Sequence, residues 1–316
     1  MKRLIATLLM GVLAGTAGAQ TYGVATTPAG SFTNATGTAI ATVAVEHADI
    51  QMRVQPQAGN VHNAVEAGGV EFGLDNYYNV LFAAQGIEDY AGQTPATHIQ
   101  IAARVLPLQL VIMARADSDI HTIADLRGRR IASGFGAQLA VDRAVRMYLA
   151  TAGLTYEDMD TVPAQNVVAA ADDFRAGRTD AFLFALGAGK VQEVAAGVGG
   201  VRVLASDSGD EAVARARALV PGVDPITVEP SPAYPGVEQA TVIYGADIIL
   251  MVNDRTPEDV VYNVVRAMHD NAAQMGTLFP PLRGFDPARI CRAYDGLDYH
   301  PGARRYCEEN GLWAAE

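Results

Sequence analysis

The stretch RIASGFGAQLAVDRAVRMYLATA, residues 130–152, contains a short β-rich run, a turn with two glycines and a helix-length segment. A strand over 130–133 and a helix over 138–152 are predicted, and the helix has apolar residues at three- and four-residue steps: Val141, Val145, Tyr148, Leu149 and Ala152. A strand followed in this way by a helix is the repeating unit of α/β proteins with parallel sheets and crossover helices.

The same alternation continues over most of the chain. Further strands are predicted over 21–26, 50–55, 70–75, 108–114, 181–186, 201–204 and 248–252. Further helices are predicted over 31–46, 60–67, 166–176 and 257–272, with a helical turn over 122–126. We expect two α/β lobes, 20–105 with 206–316 and 106–205, joined by hinge strands, since no Ser/Gly-rich linker separates them.

The N-terminus has the pattern of a secretory signal peptide. Positive residues Lys2 and Arg3 precede an uncharged stretch over 4–14 and the small-residue sequence Ala17-Gly18-Ala19, which predicts residues 1–19 as a signal peptide cleaved before Gln20. A retained anchor is the alternative, but the apolar stretch is shorter than the ~20 residues of a spanning helix. Export is therefore expected.

Charge and cysteine content narrow the function classes. Without residues 1–19 the chain has 21 basic and 35 acidic residues, a formal charge of −14 that disfavours nucleic acid and anionic lipid as partners. Cys291 and Cys307 are the only cysteines, and in an oxidising compartment we expect them to form a disulfide.

Two loops at the ends of predicted strands are candidate binding segments, because open α/β sheets bind ligands at the carboxyl ends of their strands. Each loop offers hydroxyls or free backbone N–H groups at a helix start, which suits a carboxylate. Ordinary helix capping is the alternative. The candidates are Thr27, Gly30, Ser31 and Phe32 in the first loop and Ser133, Gly134, Gly136, Ala137 and Gln138 in the second.

A third set of candidates consists of neutral polar residues near strand ends of the first lobe, which could fix a polar solute without a buried charge. They are Gln55, Asn60, Asn63, Asn76 and Tyr77, and Phe184, Leu186 and Gly187 are expected to shape the rest of the site. Arg104 could pair with an anionic ligand or form a structural ion pair.

Motifs of enzymes are not found in this sequence. No serine lies in a Gly-x-Ser-x-Gly elbow, no phosphate-binding Lys loop is present, and the six histidines lack metal-ligand spacing. We predict a binding protein with no catalytic residues, no metal and no cofactor. An enzyme on the same architecture stays open as an alternative, because a fold does not fix a function.

The chain resembles the TAXI family of solute-binding proteins, which serve tripartite ATP-independent periplasmic (TRAP) transporters. The matching segments follow in order: 25–37, QAGNVHN at 57–63, VEFG at 70–73, IADLRGRR at 123–130, RAGRTDAF at 175–182, PEDVVY at 257–262 and YHPGARRY at 299–306. This resemblance implies a type II periplasmic-binding-protein fold, one ligand in the cleft between the lobes and delivery to an integral-membrane permease driven by an ion gradient.

The resemblance also implies a small organic acid or an amino acid such as glutamate or glutamine as the ligand. The chain departs from the family at 134–138, where Gly-Phe-Gly-Ala-Gln replaces a run richer in hydroxyls. We expect a monomeric protein of the periplasm that captures a carboxylate-bearing solute for a TRAP permease. A ligand-sensing subunit of a signalling receptor and a binding protein of an ATP-driven (ABC) importer are the alternatives.

Overall fold

In a computed structural model of the protein, which describes residues 20–313, the chain forms a mixed α/β structure around a central sheet. Within these residues there are ten strands: β1 (Tyr22–Thr26), β2 (Met52–Pro56), β3 (Phe72–Asn76), β4 (Ile99–Arg115), β5 (Arg130–Ser133), β6 (Asp160–Pro163), β7 (Ala181–Ala185), β8 (Val201–Val203), β9 (Asp224–Val228) and β10 (Thr241–Asn253).

Ten α-helices lie between and after these strands in the same part of the chain. They are α1 (Phe32–Ala48), α2 (Val61–Glu66), α3 (Tyr77–Gln85), α4 (Leu139–Thr151), α5 (Val167–Arg175), α6 (Gly189–Val198), α7 (Asp210–Leu219), α8 (Glu258–Asp270), α9 (Ala272–Leu278) and α10 (Pro301–Glu309). Short 3-10 helices occupy Glu88–Tyr90, Ile123–Leu126, Tyr156–Asp158, Pro280–Gly284 and Pro287–Arg289.

The strand order β2-β1-β3-β10-β4-β7-β5-β6 divides at two long antiparallel strands, β4 and β10. The first half of β4 lies beside the second half of β10, which pairs with β3. The second half of β4 pairs with β7, and the first half of β10 pairs with β9. The register between them shifts at Ile248/Ile249 and at Leu250/Met251. The two strands thus run from one lobe into the other, as expected for hinge strands.

Each lobe is built around parallel strands with crossover helices. In the first lobe β1 pairs in parallel with β2 and β3, and α1 packs against α8. In the second lobe β5 pairs in parallel with β6 and β7, and α4 packs against α7. This is the two-lobed α/β fold predicted from the sequence.

The sequence analysis placed the return of the chain to the first lobe at residue 206, and we propose that it lies later. Helix α7 packs against α4, and β9 pairs with the half of β10 that lies beside the second lobe. On these contacts we propose that residues 206–240 belong to the second lobe and that the return takes place within β10.

The C-terminal segment contacts strand β4 through Ile101 and Arg104, and the expected disulfide links two parts of the segment itself. Cys291 and Cys307 are bonded, with their Cα atoms 5.9 Å apart, and both side chains are fully buried. Among residues 20–313 no helix is long and apolar enough to cross a membrane. The predicted signal peptide, residues 1–19, lies outside the described residues.

Candidate functional site

A cavity lies between the two lobes. The centre of a water molecule can occupy a volume of about 60 Å³ within it. Both lobes and the crossing strand β4 form its walls. The first lobe contributes Thr27, Ser31, Phe32, Thr33, Gly59, Asn60, Val61, Asp75, Asn76 and Asn79. Strand β4 contributes Leu108 and Leu110, and the second lobe contributes Ala137, Gln138, Ala140, Val141, Val167, Phe184 and Ala185.

Hydroxyl groups cluster where α1 begins. Thr27 Oγ1 donates to Ser31 Oγ over 2.6 Å and lies 2.5 Å from Thr33 Oγ1. Ser31 is the N-cap of α1, and its hydroxyl accepts the backbone N–H of Asn34 over 3.2 Å. The first N–H groups of a helix have no partner inside the helix, and the helix dipole makes this end attractive to an anion.

A second helix start, that of α4, lies on the opposite lobe. Gln138 precedes it, and its Oε1 accepts the N–H of Val167 over 2.8 Å, which joins the starts of α4 and α5. The N–H of Leu139, the first residue of α4, donates to Asn60 Oδ1 of the first lobe over 3.4 Å. Asn60 therefore connects the two lobes directly at the edge of the cavity.

The end of β3 forms a polar wall. The Oδ1 of Asp75 accepts the N–H of Asn76 over 2.8 Å, and its Oδ2 accepts from Asn79 Nδ2 over 2.7 Å. Asn76 is 8% exposed, and its Oδ1 is buried and receives no hydrogen bond from any residue within 20–313. This wall presents hydrogen-bond acceptors to the cavity.

Polar contacts between the lobes hold the cleft closed beside the cavity. Tyr78 of α3 donates its hydroxyl to the carbonyl of Ala140 over 3.0 Å. Further out, the interlobe ion-pair cluster consists of Glu88 and Asp89 of the first lobe and Arg143 and Arg146 of the second.

Asp89 lies at the centre of this cluster. Burial alone would raise the pKa of Asp89, but the hydrogen bonds from Arg143 and Arg146 outweigh it and lower the pKa below 3.8. The carboxylate is therefore ionised at neutral pH, and it links both arginines of α4 to the first lobe.

Eight of the eighteen ligand-binding candidates from the sequence line the cavity. They are Thr27, Ser31, Phe32, Asn60, Asn76, Ala137, Gln138 and Phe184. The other ten do not line it: Gly30, Gln55, Asn63, Tyr77, Arg104, Ser133, Gly134, Gly136, Leu186 and Gly187.

Structural roles account for several of the ten outside the cavity. Arg104 is 2% exposed and forms an ion pair with Asp247, with Nη2 and Oδ1 2.9 Å apart, which is the structural alternative considered for it. The hydroxyl of Tyr77 donates to the carbonyl of Asp295. Leu186 lines a neighbouring cavity of about 90 Å³.

The turn before α4 lies differently from its predicted arrangement. Phe135 is fully buried and has a positive φ of 26°, while Gly134 and Gly136 on either side of it are exposed. The buried phenyl ring contributes to the interior of the second lobe. Only the end of this loop, Ala137 and Gln138, therefore reaches the cavity.

Sequence reasoning missed Asp75, Asn79 and Thr33 among the polar residues of the cavity. Asp75 and Asn79 are four residues apart around the start of α3, so both face the same side. An acidic residue at the carboxyl end of an otherwise apolar strand was the available signal. Among residues 20–313 no group of three or more His, Cys, Asp or Glu is arranged to hold a metal ion.

Solved structures of periplasmic proteins have the same fold at low sequence identity. The periplasmic binding protein BugD is 15% identical with a TM-score of 0.58, covering 92% of this chain and 94% of its own. A protein described as a periplasmic transporter is 13% identical with a TM-score of 0.56, and 93% of each chain is covered.

A third structure, the substrate binding protein of an amino acid ABC transporter, is 12% identical with a TM-score of 0.50, covering 83% of this chain and 99% of its own. These similarities establish the two-lobed fold. The sequence itself matches the NMT1-like family over residues 24–311, nearly the whole described chain. The chain belongs to the NMT1-like family.

Proposed function

We propose that this protein is a periplasmic solute-binding protein that holds a small carboxylate-bearing solute between its lobes and delivers it to a TRAP permease. The observation that carries the proposal is the cavity itself, which both lobes line and which the starts of α1 and α4 border. A ligand there contacts both lobes at once, so its binding energy favours the closed conformation.

The donors around the cavity suit a carboxylate. None of the lining residues, all of which belong to the described part of the chain, is Arg or Lys. The Thr27 hydroxyl donates to Ser31, so the available donors are the hydroxyl of Ser31 and the N–H groups at the starts of α1 and α4 other than those of Asn34 and Leu139, which already bond to Ser31 and Asn60. A hydrogen bond to a charged group contributes about 1.5–3 kcal/mol, and a helix start adds about 0.3–1 kcal/mol.

The apolar residues of the cavity limit the size and shape of the remainder of the solute. Leu108, Leu110, Val141 and Phe184 supply apolar surface from β4 and the second lobe. Because the centre of a water molecule can occupy only about 60 Å³ of the closed cavity, the cavity suits a compact molecule. Amino acids and short organic acids are of this class.

A thermal-shift screen of amino acids and organic acids tests the binding function. A ligand at about 100 times its dissociation constant stabilises the folded state by about 2.7 kcal/mol, because it binds only that state. The shift should be much reduced in Thr27→Val, which removes a cavity hydroxyl, and retained in Thr38→Val, an exposed position on α1. If no carboxylate-bearing compound raises the melting temperature, the proposed ligand class is wrong.

Delivery needs a separate experiment. The identified ligand, radiolabelled, is offered with the purified protein to vesicles containing a candidate TRAP permease. Uptake that depends on the protein and on an imposed ion gradient, without ATP, supports the proposal. In parallel vesicles containing a candidate ABC importer, ATP-dependent uptake would assign the protein to that importer, and binding to a purified receptor in place of any uptake would assign it to sensing.

A further inference from the structure

Asp75 stands apart among the residues of the cavity because it is the only ionisable side chain that lines it within residues 20–313. It is 8% exposed and lies near the end of β3. A buried carboxylate is costly unless a cation or several donors compensate its charge. The partners of Asp75 therefore indicate what the cavity requires of its ligand.

The known partners of Asp75 are neutral. Its two oxygens accept one hydrogen bond each, from the N–H of Asn76 and from the side-chain amide of Asn79. His62 is within ion-pair range of Asp75 when protonated, with 3.9 Å between Nδ1 and Oδ2, but it forms no hydrogen bond with it. Each carboxylate oxygen can accept a second hydrogen bond. Asp75 thus keeps accepting capacity for a further donor.

Asn76 gives an independent indication. It is 8% exposed, it lines the same cavity, and its Oδ1 has no hydrogen-bond partner among the described residues. Buried polar atoms are nearly always hydrogen-bonded, so an unpartnered one beside a cavity points to a group that the ligand supplies. Asn76 Oδ1 receives no hydrogen bond from the described residues, and Asp75 can accept more than the two that it receives.

We propose that Asp75 and Asn76 select a solute with an ammonium group, so that the ligand is a zwitterion such as an α-amino acid. The inference rests on the proposed function, because it places the carboxylate of the same solute at the start of α1. An ammonium group supplies three N–H donors and a positive charge, which match the unused acceptors of Asp75 and Asn76.

The spacing of the two ends favours an amino group next to the carboxylate. Strands β1 and β3 are neighbours, paired at Val24–Phe72 and Ala25–Gly73. Thr27 and Asp75 each come two residues after the second pair, and adjacent strands are about 4.8 Å apart. One compact solute can therefore reach the start of α1 and Asp75 at once, and an α-amino acid, with both charged groups on one carbon, has this size.

The test compares each amino acid with the 2-hydroxy acid of the same skeleton by isothermal titration calorimetry. Suitable pairs are glutamate with 2-hydroxyglutarate, alanine with lactate, and leucine with 2-hydroxy-4-methylpentanoate. The hydroxyl keeps one donor and the size of the amino group but lacks its charge. We expect at least one amino acid to bind about 100-fold more tightly than its hydroxy acid. Buried acceptors of the protein that pair with donors of the ligand discriminate against an analogue that has fewer donors.

Two variants assign the selectivity to the residue. Asp75→Asn should reduce that affinity ratio to about 5-fold or less, because it weakens the binding of the amino acid while the hydroxy acid keeps its affinity. Asp210→Asn makes the same change of net charge at an exposed position on α7 and should leave the ratio unchanged. If the role of Asp75 were only structural, Asp75→Asn would weaken the binding of both ligands equally.

The outcomes separate this inference from the function on which it rests. If the wild-type protein binds the hydroxy acids as tightly as the amino acids, or if Asp75→Asn leaves the ratio intact, the inference is wrong and the carboxylate site stands. The wild-type comparison decides this even if the variant does not fold. If neither class binds, the carboxylate-binding function fails as well.

Discussion

The interlobe ion-pair cluster offers a way to change affinity without touching the cavity. In the closed structure Asp89 accepts from Arg143 Nε over 2.5 Å and from Arg146 Nη2 over 2.9 Å. The side chain of Arg143 is 3% exposed and that of Asp89 is 16% exposed, so solvent screens this pair poorly. Opening the lobes must break both bonds, because Asp89 and the two arginines lie on different lobes.

The substitution Asp89→Asn keeps the shape of the side chain and removes its charge. Its amide oxygen can accept from one arginine, but its amide nitrogen cannot accept from the other, so one charge-assisted hydrogen bond worth about 1.5–3 kcal/mol is lost. Glu88 still pairs with Arg143, which moderates the loss. We therefore expect the closed state to lose about 2 kcal/mol, which corresponds to about 30-fold weaker ligand binding when the free protein is mostly open.

Calorimetric titration with the ligand found in the thermal-shift screen measures this effect, and small-angle scattering of the free and bound forms follows closure. Asp119→Asn is the matched control, since Asp119 pairs with Arg129 inside the second lobe, with 2.7 Å between the charged groups. Its affinity should stay within about 2-fold of the wild type, because exposed pairs contribute little. Equal affinities for Asp89→Asn and the wild type would refute the role of the cluster in closure.

Three further predictions concern other parts of the structure. Reducing the Cys291–Cys307 disulfide should lower the free energy of unfolding by about 3 kcal/mol, measured by urea denaturation with and without dithiothreitol. Ala137→Phe should abolish ligand binding in calorimetry because it fills the cavity, whereas Gly136→Ala, where an added Cβ meets no atom within 4 Å, should leave it within about 2-fold. Burial lowers the pKa of His300, whose ring caps α10, below 6.5 in the folded protein. As the pH falls below 6.5, the unfolded state therefore binds a proton at this histidine before the folded state does. Stability should fall as the pH drops below 6.5, and His300→Asn should reduce this dependence in urea titrations at pH 7.5 and 5.5.

The alternating pattern of the sequence was sufficient to predict the lobes but not the path between them. The strand predicted over 130–133 coincides with β5, and the helix over 138–152 differs from α4 by one residue at each end. In contrast, 108–114 and 248–252 are only parts of β4 and β10. Pro107 and Gly245 lie within these long strands and interrupt their apolar pattern, so each strand looked shorter than it is.

The site was predictable where it depends on topology and less so where it depends on side-chain direction. Ser31 and Asn76 follow β1 and β3, and the carboxyl ends of these parallel strands meet at one edge of the sheet. Gly136 follows β5 in the same way, yet the burial of Phe135 turns the glycines outward. The sequence shows that a turn is present but not which of its residues fills the interior.

The acidity of the chain bears on the kind of solute it can capture. With a formal charge of −12 for all 316 residues, the surface repels anions at distances up to the Debye length, about 8 Å at physiological salt. A zwitterion has no net charge, so this repulsion hardly affects its approach. In the binding mode proposed above, the start of α1 attracts the carboxylate and Asp75 the ammonium group, which would orient the molecule before the lobes close. In the same binding mode a simple dicarboxylate places a second negative charge near Asp75, so we expect it to bind more weakly than an amino acid of the same size, which calorimetry of succinate against aspartate measures.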